Sequence, residues 1–213
     1  MVATSASVTG AYVGTSGFSY PSWRGGFYPT DADPKTFLEL YAESFDTVEL
    51  NTTGYRLPAE EQFARWAAQT PDGFRFAVKM PVTRLDSVGT FVERVRLLGE
   101  RLGPLRVVIQ SKRDDGLLTF LQGSLPPELE VAYDFRHESW DEGVDGLVQV
   151  NDFDAEPFRY VRLREPPYSN DDLRALAGRL RPPAYVYFRH EDAATAPGYA
   201  ARLAALLDAP SNE

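Results

Sequence analysis

The chain has 213 residues, of which 43% are hydrophobic and 13% aromatic, enough for one domain with a sizeable core. A net charge of −9 excludes a broadly basic surface that coats nucleic acid, although a small positive pocket stays compatible with it. Cysteine is absent, which removes disulfides, thiolate chemistry and cysteine-bound metal, and fits a reducing cytoplasm.

The opening segment "MVATSASVTGAYVG" has no basic region followed by an apolar core, so it does not read as a signal peptide. Residues 1–9 are expected to be a loose tail, and residues 10–213 a single domain. The apolar runs are too short for a transmembrane helix. "AYVGTSGF" reads as the first strand. "DADPKTFLELYAESF" reads as a helix with Asp33 as N-cap, Pro34 at the first position and an apolar stripe of Phe37, Leu40, Tyr41 and Phe45. "TVELN" is the second strand and "PAEEQFARWAAQT" the second helix. "FRFAVKMP" is the third strand, and "SVGTFVERVRLLGERLG" a third helix ended by Gly103. "LRVVIQSK", "GLLTFLQGSL" and "LEVAYDFRH" follow as strand, short helix and strand. "LVQVND", "RYVRLR" and "AYVYFRH" are three further strands. A helix with Ser169 and Asp172 spaced as a capping box separates the last two, and "GYAARLAALLD" closes the chain as a helix.

Eight strands interleaved with helices predict a small TIM-like α/β barrel, with an open doubly wound sheet as the structural alternative. Only "DEGVDG" lies between strands five and six, and only "FDAEP" between six and seven. A parallel crossover needs about a dozen residues, so the barrel is expected to be irregular there, with reduced helices.

Period-two alternation then sorts the strand residues by face. If Val48 and Leu50 face the helices, Glu49 and Asn51 face the interior. The same rule turns Lys79, Gln110, Asp134, Arg136 and Arg162 inward. Two carboxylates and three cations in one barrel need pairing, because unpaired buried charge is costly. Several of these residues lie toward the carboxyl ends of their strands, where barrel enzymes build their sites. A structural ion network and a functional pocket are both compatible with the pattern.

His137, beside Arg136, is a candidate acid or base, whereas His190 reads as a surface or packing residue. Two histidines without cysteine argue against a dedicated transition-metal site, and the adjacent cations argue against an oxygen-ligated ion at Glu49 and Asp134. In "GTSGFSYPSWRGGFYP", backbone amides and Arg24 have the make-up of an anion cradle, and equally of a rigid loop capping the barrel. No Walker loop, dinucleotide fingerprint, HExxH motif or nucleophile elbow occurs.

The blocks "VGTSGFSYPSWRGGFYP", "FDTVELNTTGYRLP", "TPDGFRFAVKMP", "DFRHESW", "YVRLR" and "AYVYFRH" resemble, in order, the motifs of the YecE-like family, domain of unknown function 72. The resemblance runs from about residue 12 to the end. It implies a TIM-type barrel and no established reaction. Carried over motif by motif, the family's shared positions fall on Ser16, Gly17, Tyr20, Trp23, Arg24, Phe27, Tyr28, Glu49, Asn51, Tyr55, Lys79, Arg136, Trp140 and Arg162. Several positions depart from that pattern. Asp134 stands where the family has Glu, "QSKRD" replaces Q-L-P-P, Arg164 and Glu165 replace His-Gly, and Arg189, His190 and Glu191 replace Asn-Asn-Asp.

The combined expectation is a small anionic ligand, bearing phosphate or carboxylate, held without a cofactor at the barrel mouth by Lys79, Arg136 and Arg162. Glu49, Asp134 or His137 would transfer protons if the protein is a hydrolase or another acid/base enzyme. Ser16, Arg24, Asn51 and Trp140 join the binding set, and Tyr20, Trp23, Tyr28 and Tyr55 form an aromatic wall. The alternatives are a non-catalytic binder of nucleic-acid fragments or phosphate ligands, and an interaction scaffold that oligomerises through strands five to seven.

Overall fold

A computed structural model describes residues 10–54, 56–82 and 85–209; the expected N-terminal tail and Tyr55 lie outside them. Among the described residues there are eight strands: β1 (Ala11–Ser16), β2 (Thr47–Leu50), β3 (Arg75–Pro81), β4 (Leu102–Ile109), β5 (Val131–Phe135), β6 (Val148–Gln149), β7 (Arg159–Leu163) and β8 (Ala184–Arg189). They form one parallel sheet in the order β6-β5-β4-β3-β2-β1-β8-β7. This order follows the chain around a ring, whereas a doubly wound sheet reverses direction at a switch point. The fold is therefore a nearly closed, TIM-like α/β barrel.

Among the described residues, six α-helices pack outside: α1 (Phe37–Ala42), α2 (Glu60–Ala68), α3 (Val88–Val95), α4 (Asp115–Ser124), α5 (Asn170–Arg179) and α6 (Thr195–Asp208). Their apolar stripes meet the outward strand residues Val48, Leu50, Phe76, Val78 and Val161 in the main hydrophobic core. Among the described residues, no helix is long and apolar enough to cross a membrane. The capping box of Ser169 and Asp172 opens α5 as the spacing predicts.

Two helix boundaries differ from expectation. Asp33 and Pro34 start a separate 3₁₀ turn, Pro34–Thr36, so α1 is shorter than the predicted segment. The third helix does not run to Gly103. It tightens into 3₁₀ geometry after Val95, and Gly99 breaks it with a φ of +58°, a conformation that costs glycine little. Gly103 instead belongs to β4.

The barrel is thin where the crossovers are short. A single 3₁₀ turn, Glu138–Trp140, fills the place of a helix after β5, and β6 has two residues. Closure between β6 and β7 falls to a bridge between Val150 and Tyr160 and to Asn151. Asn151 takes a φ of +70°, which Asn tolerates better than other side chains. Its backbone N–H donates to the Tyr160 carbonyl at 2.9 Å, and its Oδ1 accepts from the Arg162 N–H at 2.7 Å. A side-chain amide thus supplies a ladder bond that the short strand cannot.

Inside the ring the side chains change character along the axis. Tyr12, Phe158 and Tyr185 fill the end near the strand starts, where Tyr12 stacks on Tyr185 at 5.1 Å. Ala77, Ala132, Tyr160 and Tyr187 lie in the same buried cluster. The inward charged residues Lys79, Arg106, Arg136 and Arg162 lie toward the carboxyl ends.

Candidate functional site at the barrel mouth

Glu49, the carboxylate of "TVELN", is fully buried on the inner face of β2. Its Oε1 accepts from Arg162 Nε at 2.9 Å, and its Oε2 accepts from the Tyr160 hydroxyl at 2.7 Å. Arg106 Nε lies 2.8 Å from Oε2 in a charge contact that lacks hydrogen-bond alignment. Burial alone would raise the Glu49 pKa. Arg106 and Arg162 outweigh it, with help from the Tyr160 and Arg162 hydrogen bonds, and hold the carboxyl at about 2.

Asp134, on the inner face of β5, anchors the other half. Its Oδ2 accepts from Arg106 at 2.6 Å and from Arg164 at 2.9 Å, and Arg136 Nε lies 2.8 Å from Oδ1. Arg106, only 2% exposed, bridges the two carboxylates. It also donates to Asn51 Oδ1 at 3.0 Å, while Asn51 Nδ2 and Arg162 donate to Ser16 Oγ. Burying these ions singly would cost several kcal/mol each, so the mutual contacts are what permits them in the core.

Four arginines contact two carboxylates, leaving the cluster with two more cations than anions. The excess faces a cavity of about 870 Å³ at the carboxyl ends of the strands. Its lining also includes Lys79, Gln110, Arg189 and His190, and no carboxylate among the described residues. Arg164 Nε is buried without a hydrogen-bond partner among them. Its pKa is lowered, first by burial, with Asp134 opposing and the neighbouring arginines adding to the fall.

The loop after β1 completes the rim. Gly17 turns with a φ of +88°, and a Cβ there would lie 2.4 Å from the Tyr20 hydroxyl. That hydroxyl donates to the Ser16 carbonyl at 2.9 Å, and the Tyr20 ring stacks on His190 at 4.4 Å. The His190 pKa is lowered, mainly by burial and then by Arg189 and Arg162.

The inward set read from alternation converges on this mouth: Glu49, Asn51, Lys79, Gln110, Asp134, Arg136 and Arg162 all lie there, with Ser16 and Tyr20. Other candidates lie elsewhere. Trp23 and Tyr28 are buried in the hydrophobic core rather than in an aromatic wall; Trp23 donates to the Glu191 carbonyl and Tyr28 stacks on Phe37. Arg24 donates to the Ala32 carbonyl and lies over Phe37, as suits a capping loop rather than an anion cradle. His137 and Trp140 line a separate cavity beside β5 and β6. There His137 Nδ1 accepts from the Ser139 N–H at 3.1 Å, and buried Trp140 stacks on Phe135.

Arg106, Arg164, Arg189 and His190 are charged or titratable mouth residues that the pattern reading passed over. Arg106 shares the parity of Gln110, and Arg164 that of Arg162. Counting back two turns of the alternation in "LRVVIQ" exposes the first, and counting on in "RYVRLR" the second.

A family model described as "Protein of unknown function DUF72" matches residues 12–153. The chain belongs to this family. It is 34% identical over 139 residues to UPF0759 protein YecE of Escherichia coli, covering 59% of the chain and 48% of that protein. The chain thus spans about half the length of the curated relatives it matches. It superposes on a DUF72 family protein of Thermotoga maritima with a TM-score of 0.70 and 26% identity, covering 92% of this chain and 97% of that one. A DUF72 family protein of Enterococcus faecalis shares the fold, with a TM-score of 0.67, 16% identity and coverage of 92% and 95%. The DUF72 match stops before β7, so Arg162, Arg164, Arg189 and His190 lie beyond it.

Proposed function

We propose that the barrel mouth binds a small anionic ligand bearing a phosphate or carboxylate group. The observation that carries this reading is the cluster of four arginines on two buried carboxylates, opening with its excess positive charge onto one cavity. Glu49 and Asp134 fix the guanidinium planes, and fixed guanidinium forks match the geometry of phosphate and carboxylate oxygens. Arg136, Arg162 and Arg164 supply donors, and Lys79 lines the same cavity.

Binding is better supported than proton transfer at Glu49. A carboxyl held at about 2 is a weak base, and both of its oxygens already accept bonds from the protein. The two carboxylates therefore serve as anchors for the cations that meet the ligand.

The test is calorimetric titration with inorganic phosphate, sulfate and simple carboxylates, repeated with Lys79→Ala and Arg136→Ala. Loss of one charged hydrogen bond costs roughly 1.5–3 kcal/mol, or about a ten- to hundredfold weaker affinity. Retained thermal stability with weakened binding supports the site. Strongly lowered stability in both variants, with no anion bound by the wild type, identifies the cluster as a structural network.

A further inference from the structure

A second cavity, of about 600 Å³, adjoins the mouth between α1 and α2. Its character is opposite. The walls are mainly carbon surface, with Phe18, Leu38, Leu50, Trp66, Pro34 and Pro58 among the lining residues. Tyr20, Asn51 and Thr52 line both cavities, so the two meet across the carboxyl end of β2. Asn51 is fixed at this junction by Ser16 on one side and Arg106 on the other. Lys35 and Arg65 are the charged residues of the groove; its described lining has no carboxylate. Small-molecule sites combine this kind of apolar recess with a few convergent polar groups, at volumes of about 300–1,000 Å³.

We infer that the ligand of the mouth is amphiphilic: its anionic group sits on the arginines and a covalently attached aromatic or aliphatic portion lies in the groove beside Trp66. This rests on the anion-binding reading and adds the substrate class, an organic phosphate or carboxylate in place of a bare inorganic anion. The continuity of the two linings carries the inference. A groove that ended short of the mouth would leave its occupant unconnected to the cations. Burial of a ring against Leu38, Leu50 and Trp66 would then add apolar contact to the charge interaction.

The test compares inorganic phosphate with phenyl phosphate by calorimetry, and follows the indole N–H signal of Trp66 by NMR, assigned with Trp66→Phe. Phenyl phosphate is expected to bind at least about tenfold tighter, a gain of about 1.4 kcal/mol. It should move the Trp66 signal, and inorganic phosphate should leave it in place. Gln62→Trp, which adds bulk to the groove from α2, should bring phenyl phosphate down to the affinity of inorganic phosphate while keeping the latter. If that variant is unstable, the Trp66 signal in the wild type decides. Equal affinities with an unmoved Trp66 signal overturn the groove inference and leave the anion site standing. Failure of both ligands to bind overturns the anion site and this inference with it.

Discussion

Replacing Glu49 by Gln removes one charge and leaves Arg106 and Arg162 without their shared counter-ion. Glu49 is fully buried, and its pKa falls from the ordinary 4.5 to about 2. At roughly 1.4 kcal/mol per unit, the ionised form of this group contributes about 3 kcal/mol to folding at neutral pH. Because the folded-state pKa is depressed, that contribution is complete above about 4.5 and is lost as pH falls toward 2. Breaking one side of a buried ion pair costs about 3–5 kcal/mol, which is the same range. The assay is urea unfolding of wild type and Glu49→Gln at several pH values from 7 to 2. Other carboxylates titrate in both proteins and cancel in the difference between them. The wild-type advantage should be about 3–5 kcal/mol at pH 7 and shrink as pH drops from 4.5 to 2. A difference that stays constant across that window would refute the claim that Arg106 and Arg162 hold Glu49 ionised.

Asn151→Ala should lower stability by about 1–2 kcal/mol, through the lost bond to the Arg162 N–H and the strained positive φ, and should weaken anion binding by displacing Arg162. Asn151→Gly, which relieves the strain, should recover part of the stability and little of the binding; equal binding in all three proteins would detach the β6–β7 closure from the site. His190 should titrate below 6.5 in the free protein, and its pKa should rise when phosphate neutralises Arg162 and Arg189 nearby. Affinity for sulfate, whose charge does not change near neutral pH, should therefore increase as pH falls through the His190 transition, and His190→Gln should remove that dependence, as calorimetry over a pH series would show. The bonds from Asn151 occupy the exposed edge of the sheet, so light scattering should give the mass of one chain at all concentrations; a concentration-dependent dimer would restore the scaffold expectation for strands five to seven.

Much of the mouth could be read from the amino-acid sequence, because alternation along a strand is a local property. Once Val48 and Leu50 were assigned to the helix side, the inward direction of Glu49 and Asn51 followed without knowing any neighbour. The same reasoning reached Lys79, Asp134, Arg136 and Arg162, and the short crossovers after "DFRHESW" foretold the thin wall at β6. Loops have no such period. Trp23 and Tyr28 therefore looked like candidates for a ligand wall when they are core residues, since an aromatic ring in a loop is equally suited to either place until its packing partners are known.

What tertiary structure alone decided is the pairing. Glu49 and Arg162 are far apart in the chain, and only closure of the ring brings β2 and β7 to opposite sides of one buried charge cluster. Whether a carboxylate there acts as a base or an anchor depends on how many donors reach it and how deeply it is buried, which are properties of the assembled barrel. The sequence determined which residues face inward, because the pleat of a strand is set residue by residue. The structure determined what they meet inside, because Coulomb contacts act through space and disregard chain order.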